Sequence, residues 1–470
     1  MKSFALITAA QLLSAVSTVT AIQLSRRDNP RVFGLDIQRQ HVPNPVTRER
    51  LYRRQKFVRQ TLDNLETLYF ANASLGTPEQ QLRLHIDTGS SDLWVNADNS
   101  TFCDDSDQCE EGGTYDPEES SSFEYVNSAF NITYVDGTGA SGIYAKDTFH
   151  FGGTSLEDLQ FGVGYTSSSA AGILGIGYVS NEAQVHRAGL EPYPNLPQLL
   201  VDRGYINSNA YSLWLNDLDA SRGSILFGGV DTEKFQGTLH TLPIIPNRQT
   251  GEYLELVISL TGLGQNGNEG SIFSAENNDA ITDIISFPVL LDSGASLTYL
   301  PDDIVRYLYY DFGGEYDSSA GVAYIDCDFA NQQGSLDFTF SGITISVPYN
   351  ELVLEAGTRR GQPVCVLGVA PSGNEQPTLG DTFLRSAYVV YDLSNNEISL
   401  APTNFNATQS AIQEIQSGED GVPDASGVPG AVSTGVVGPT GSGFVPLPSP
   451  TKQGGAAGLT PELWMFDSSL

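Results

Sequence analysis

Residues 84–94 read LHIDTGSSDLW, and the fold turns on this stretch. Leu82, Leu84 and Ile86 alternate with polar residues, so they share one face of a strand that ends at Asp87 in a tight glycine turn. An Asp before such a turn ordinarily serves as an Asx turn that stops the strand. The chain holds 56 acidic residues, so one more at a strand end decides nothing by itself. A second copy of the arrangement changes that reading.

Residues 287–301, FPVLLDSGASLTYLP, are another apolar strand ending in Asp-Ser-Gly, with Asp292 in the place of Asp87. Downstream, AGILGIG puts Gly175 behind Ile173 and Leu174, and PTLGDTF puts Gly380 behind Leu379. Asp87 to Gly175 and Asp292 to Gly380 are both 88 residues. Two motifs repeated at one separation mark a duplicated β domain.

The rest of the chain fits an exported protein. Its 470 residues allow two core-bearing domains with flanking segments. Residues 1–21 carry Lys2, an apolar run and a small-residue exit, and are expected to be a signal peptide. No later stretch approaches the ~18 apolar residues of a spanning helix. Of the four cysteines, Cys103 and Cys109 enclose five residues, while Cys327 and Cys365 lie far downstream. Near-with-near pairing gives two disulfides, one in each half; the alternative, a zinc site, lacks suitably spaced His. Sequons stand at Asn72, Asn99, Asn131 and Asn406.

Charge is unevenly spread. Residues 22–54 have a net charge of +5 and residues 55–470 of −39. A basic leader before an acidic body suggests a removable segment held electrostatically, with a dibasic cleavage point after Arg54. A nucleic-acid-binding arm does not suit this acidic, exported body. From Ser417 to Ala456 the chain has ten Gly and six Pro, the composition of a flexible tail. Between these ends, short β-branched and aromatic runs predict a mainly β body. Helices are few, and the best candidates are NLPQLLVDRG (195–204) and PDDIVRYLYYDFG (301–313).

Asp-Thr-Gly-Ser followed by Asp-Ser-Gly, each with its apolar-apolar-Gly partner, resembles the pepsin-type aspartic proteases over residues 68–402. NITYVDGTGASG (131–142) resembles their flap, and AYVVYDLSNNEISLAP (387–402) their closing strands. The basic leader, acidic body and Ser/Gly/Pro tail are most similar to the fungal yapsin and candidapepsin-like subgroup. The resemblance implies a bilobal pepsin-like fold of two homologous β lobes, with a central cleft and a flap hairpin. The expected divisions are a signal peptide at 1–21 and a basic propeptide at 22–54. An N-terminal lobe at 55–205, a C-terminal lobe at 206–402 and a disordered tail at 403–470 follow.

The resemblance also implies roles. Asp87 and Asp292 form a catalytic dyad, supported by Thr88, Gly89, Ser90, Ser293 and Gly294. Tyr134, Asp136, Gly137 and Thr138 form the flap, with Trp94 hydrogen-bonded to Tyr134. Two carboxyls that close cannot both ionise, so they share a proton and activate a water without metal, cofactor or covalent intermediate. The expected activity is that of a monomeric, secreted acid endopeptidase acting on proteins or peptides. Its own propeptide is a partner, and the acidic loops around Asp136 suit basic residues beside the scissile bond. A non-catalytic binding or inhibitor protein of the same fold is the alternative. The segment GLTPELWMFDSSL (458–470) does not read as a lipid-anchor signal, although the surface subgroup has one.

Overall fold

Alternating apolar residues between Gly, Asn and Asp breaks fold into strands throughout, as their pattern predicts. The computed structural model describes residues 31–40, 68–103, 107–135, 137–220, 222–274 and 286–434. Both expected helices form. Leu196–Asp202 has an Asn195 side-chain cap and a proline in its first turn, and Asp302–Asp311 starts behind Pro301.

The internal repeat is a repeat of strand pairing. In the first half, Gln80–Asp87 runs parallel to Ile173–Gly175, with Asp87 opposite Gly175. Ile173–Gly175 is antiparallel to Leu93–Asn96, which runs parallel to Thr154–Ser167. In the second half, Phe287–Leu291 runs parallel to Thr378–Leu379. That strand is antiparallel to Thr298–Leu300, which runs parallel to Val369–Pro371. The two 88-residue separations match because each Asp strand pairs in register with the strand that brings its glycine.

The halves also share a sheet. A fourteen-stranded sheet begins in the first half and continues through Phe33–Gln40, Arg222–Phe227, Ala210–Trp214, Ala387–Asp392, Glu397–Pro402 and Leu239–Pro243. Along Ala387–Asp392 the period of two divides the packing. Val389 and Tyr391 enter the main core, while Tyr388 and Val390 face a smaller cluster with Trp214, Phe235 and Leu239. Smaller sheets of five, four and four strands build the second half.

Two segments depart from expectation. The chain from 403 is not a disordered tail throughout, because residues 403–434 pack as a strap. Ile412–Glu414 pairs with Gly229–Asp231, and Ala425–Gly427 adds a parallel edge strand to Leu239–Pro243. The Asp231 carboxylate accepts from the Ser410 hydroxyl and the Ala411 N–H, both at 2.7 Å. Ile415, fully buried, completes the smaller cluster. The outer sheet face needs an apolar cover, and a Gly/Pro count does not register the few apolar side chains that supply it. Residues 435–470 lie outside the described residues.

The basic leader is the second departure. Its described part, residues 31–40, is built into the sheet by backbone pairing rather than held by surface charge alone. Phe33–Gln40 is a central strand, antiparallel to Arg222–Phe227 on one side and to Leu68–Leu75 on the other. Arg31 donates to Asn207 Oδ1 at 2.6 Å. The Arg39 guanidinium is mostly withdrawn from water, near Tyr69 and the buried Glu351–Arg385 pair, and desolvation lowers its pKa. Gly34, Leu35 and Ile37 already carry a strand pattern, but the segment's charge hid it. Residues 1–30, which include the expected signal peptide, and residues 41–67 lie outside the described residues.

Candidate active site

Each candidate aspartate is delivered by an apolar strand and fixed by its own turn. Asp87 ends Gln80–Asp87, and its main-chain oxygen accepts from Ile176 N–H at 3.0 Å. Asp292 follows Phe287–Leu291, and its N–H donates to Leu379 O at 3.1 Å. The side chains meet across the two halves and share a hydrogen bond.

The loops grip each other with two-fold regularity. The Thr88 hydroxyl accepts from Ser293 N–H at 2.9 Å and donates to Leu291 O at 2.9 Å. In return the Ser293 hydroxyl accepts from Thr88 N–H at 3.2 Å and donates to Ile86 O at 2.9 Å. Gly89 N–H donates to Asp87 Oδ1 at 2.8 Å, and Gly294 N–H donates to Asp292 Oδ1 at 2.7 Å. A Cβ on Gly89 would stand 2.6 Å from Asp292 Cγ, and one on Gly294 would stand 2.5 Å from Asp87 Oδ1. Only glycine lets the opposite carboxyl come so close.

Symmetry fails at one point. The Ser90 hydroxyl donates to Asp87 Oδ2 at 2.5 Å, whereas Ala295 stands in the corresponding place of the second loop. Burial raises both carboxyl pKa values, and the negative charge of Asp87 pushes Asp292 further. For Asp87, the Ser90 and Gly89 donors offset part of the burial cost. These donors favour the ionised form at Asp87 over that at Asp292.

The flap hairpin consists of Glu124–Thr133 and Gly139–Phe151. At its tip Tyr134 N–H donates to Thr138 O at 2.8 Å, and Gly137 N–H donates to Tyr134 O at 3.0 Å. Gly137 takes φ +83°, which a side chain would strain. Trp94 Nε1–H donates to Tyr134 OH at 2.8 Å, as expected, and Tyr134 also hydrogen-bonds Ser90. A chain of contacts thus runs from Trp94 through Tyr134 and Ser90 to Asp87. Asp136 lies outside the described residues.

Both expected disulfides form, Cys103–Cys109 and Cys327–Cys365. Asn72, Asn99, Asn131 and Asn406 are exposed. His85 escaped sequence reading. It shares the polar face of its strand with Asp87, and its buried Nε2 lies 3.3 Å from Ser293 O, in the opposite loop. The strand period placed it there, but one sequence held nothing to say what it would meet.

The model for eukaryotic aspartyl proteases matches residues 68–403. "Probable aspartic-type endopeptidase opsB" of Aspergillus oryzae is 54% identical over 451 residues, covering 93% of this chain and 91% of that protein. Candidapepsin-4 of Candida albicans is 37% identical over 388 residues, covering 80% of this chain and 86% of that protein. Among solved structures, the aspartic proteinase from Irpex lacteus superposes with a TM-score of 0.58 at 24% identity. That match covers 73% of this chain and 96% of the other, and shows a shared fold.

Proposed function

The chain belongs to the eukaryotic aspartyl protease family and is an aspartic-type endopeptidase; from that premise we propose that Asp87 and Asp292 cleave peptide bonds through a water held between them. The observation that carries the reading is the pair of mutually gripped Asp-Thr/Ser-Gly loops, which bring two carboxyls into one buried site.

Ionised Asp87 takes a proton from the water as its oxygen attacks the peptide carbonyl. Protonated Asp292 hydrogen-bonds the carbonyl oxygen and stabilises its developing charge. Asp292 passes its proton to that oxygen, giving a neutral gem-diol. Asp87 then gives its proton to the amide nitrogen, Asp292 takes one back from a diol hydroxyl as the C–N bond breaks, and the dyad again holds one proton. Tyr134, held by Trp94, closes the flap over substrate and excludes water. The working form has one carboxyl ionised and one protonated, so activity belongs to acid or weakly acidic pH, between two macroscopic pKa values.

The chain is secreted, with residues 1–21 removed as a signal peptide. Its disulfides and exposed sequons support that compartment. Residues 22–54 are a propeptide cleaved after Arg54, and the mature enzyme is a monomer. Basic residues beside the scissile bond are preferred. Asp98, Asp116 and Glu118 add to burial in raising the Tyr165 pKa, so this side of the molecule carries a negative field. Profiling a peptide library with the parent enzyme and Asp136→Ala tests the preference, and an unchanged apolar preference defeats it.

Asp87→Asn and Asp292→Asn test the core of the proposal. Each variant should fold, with an unchanged circular dichroism spectrum, and lose hydrolysis of a denatured protein at acid pH. The parent should be blocked by a pepstatin-type inhibitor. Substantial activity in either variant would refute the shared-dyad mechanism.

A further inference from the structure

Among the carboxyls buried as deeply as the dyad, Asp92 and Glu182 stand together at the flap base, and peptide hydrolysis does not use them. Asp92 is 1% exposed and Glu182 is 0% exposed. Asp92 Oδ1 accepts from the hydroxyls of Tyr144 at 2.6 Å and Tyr193 at 2.9 Å, and its Oδ2 accepts from Ala183 N–H at 2.8 Å. Glu182 precedes Ala183 at the start of the helix Ala183–Ala188. Its Oε2 accepts from Tyr193 N–H at 2.9 Å, while its Oε1 is buried without a hydrogen bond.

These contacts converge on the base of the flap. Tyr144 belongs to the flap strand Gly139–Phe151, and its ring meets that of Phe130, in the other flap strand, at 5.3 Å. Phe130 packs 6.4 Å from Trp94, which holds Tyr134. Trp94, Phe130, Ile132, Tyr144, Ala183 and Tyr193 form one buried cluster, against which Tyr134 rests. Asp92 therefore ties the flap to the strand of Trp94, the helix at Ala183 and the segment bearing Tyr193.

The titratable groups facing this pair are Tyr134 and Tyr144 from the flap, Tyr193 from the loop and His186 from the helix. Among the described residues, no ion pair with Lys or Arg includes Asp92 or Glu182. Two adjacent buried acids without a cation cannot both ionise cheaply. Burial raises the Asp92 pKa as well, but three donors offset part of that, so Asp92 is the better anion of the two. Glu182, with one donor and a bare oxygen, is the better acid.

We propose that Asp92 and Glu182 are a second carboxyl pair that positions the flap, in which protonated Glu182 allows anionic Asp92 to hold the flap base and loss of the Glu182 proton releases it. Burial moves Glu182 from 4.5 to about 9; the Tyr193 N–H offsets part of this, and the Asp92 charge adds a smaller push upward. An acid with a raised folded-state pKa keeps a proton that the unfolded chain has already lost. Folding stability therefore falls as pH rises from about 4.5 to about 9. This device acts apart from the dyad: folded Glu182 keeps its proton at neutral pH, but any opening of the flap base that lets it ionise becomes easier as pH rises. Its effect on catalysis rests on the flap role assigned above, but its effect on stability does not.

The test compares thermal unfolding of full-length Asp87→Asn with that of Asp87→Asn carrying Glu182→Gln, from pH 4.5 to pH 8. The catalytically silent background prevents self-digestion. The midpoints should agree at pH 4.5, and the Gln variant should unfold about 5 °C higher at pH 8. Parallel curves would overturn the proposal. If Glu182→Gln does not fold, infrared spectroscopy of Asp87→Asn/Asp292→Asn should show a protonated carboxyl stretch persisting at pH 7. Absence of that band would equally overturn it. The unfolding comparison does not read dyad chemistry, which the separate activity assays of Asp87→Asn and Asp292→Asn test, so failure of this proposal is distinguishable from failure of the dyad mechanism.

Discussion

The Ser90 hydroxyl donates to Asp87 at 2.5 Å, and the corresponding position beside Asp292 is Ala295, which has nothing to donate. A donor to a carboxylate favours its ionised form, so the dyad is biased toward an ionised Asp87 and a protonated Asp292. Ala295→Thr supplies the missing donor and should move both limbs of the kcat/KM–pH profile to lower pH. Ser90→Ala should move them upward. A hydrogen bond to a charged group contributes roughly 1.5–3 kcal/mol and one pKa unit is about 1.4 kcal/mol. With the proton shared and water able to replace the hydroxyl, the shift should be about one unit or less. Rate profiles on a substrate without titratable groups measure it.

The Thr88–Ser293 grip makes a different prediction. Each hydroxyl satisfies an N–H and a carbonyl of the opposite loop, all of them buried. Removing one hydroxyl strands its partners at about 1–3 kcal/mol. Thr88→Ala or Ser293→Ala should lower the denaturant midpoint by that amount and reduce kcat more than it raises KM. Thr88→Ser and Ser293→Thr, which keep the hydroxyl, should retain most activity. Equilibrium unfolding and steady-state kinetics check both effects.

Gly89→Ala and Gly294→Ala should fold yet lose at least about 10²-fold in kcat/KM. The added methyl would meet the opposite carboxyl at 2.6 Å or 2.5 Å, so the dyad must separate. Inhibitor affinity, measured by calorimetry, should fall in parallel with rate.

The disulfides should differ in value. Cys327–Cys365 spans 38 residues and Cys103–Cys109 spans six. Loop-closure entropy assigns about 4 kcal/mol to the longer and about 2 kcal/mol to the shorter. Paired Cys→Ser replacements, followed by chemical denaturation, should rank them in that order.

The dyad was legible because its chemistry needs rare local arrangements, and duplication printed them twice at one spacing. Trp94–Tyr134 was legible only through the family resemblance, and the cysteine pairs through their spacing. Other partners depend on what the fold brings from afar. Asp92 stood in the opening motif, but Tyr144 and Tyr193, which make it a node, are 52 and 101 residues away. Glu182 looked like one acid among many until burial removed its water. The strap was missed because its grip rests on Ile415 and on hydrogen bonds to Asp231, neither of which alters the glycine and proline content.

Phe33–Gln40 lies in the middle of a sheet, in register with Arg222–Phe227 on one side and Leu68–Leu75 on the other. A cut after Arg54 would break the covalent link but leave both ladders in place. The immediate product would be a nicked, two-piece assembly rather than a freed enzyme. From that moment the leader's hold becomes a dissociation constant, sensitive to dilution and to competing extended peptides, where before it was independent of concentration. Its departure would leave a slot lined by two sets of exposed backbone donors and acceptors, which another extended segment must fill. The timing of cleavage and the timing of that exchange would then be separate properties, set by different chemistry.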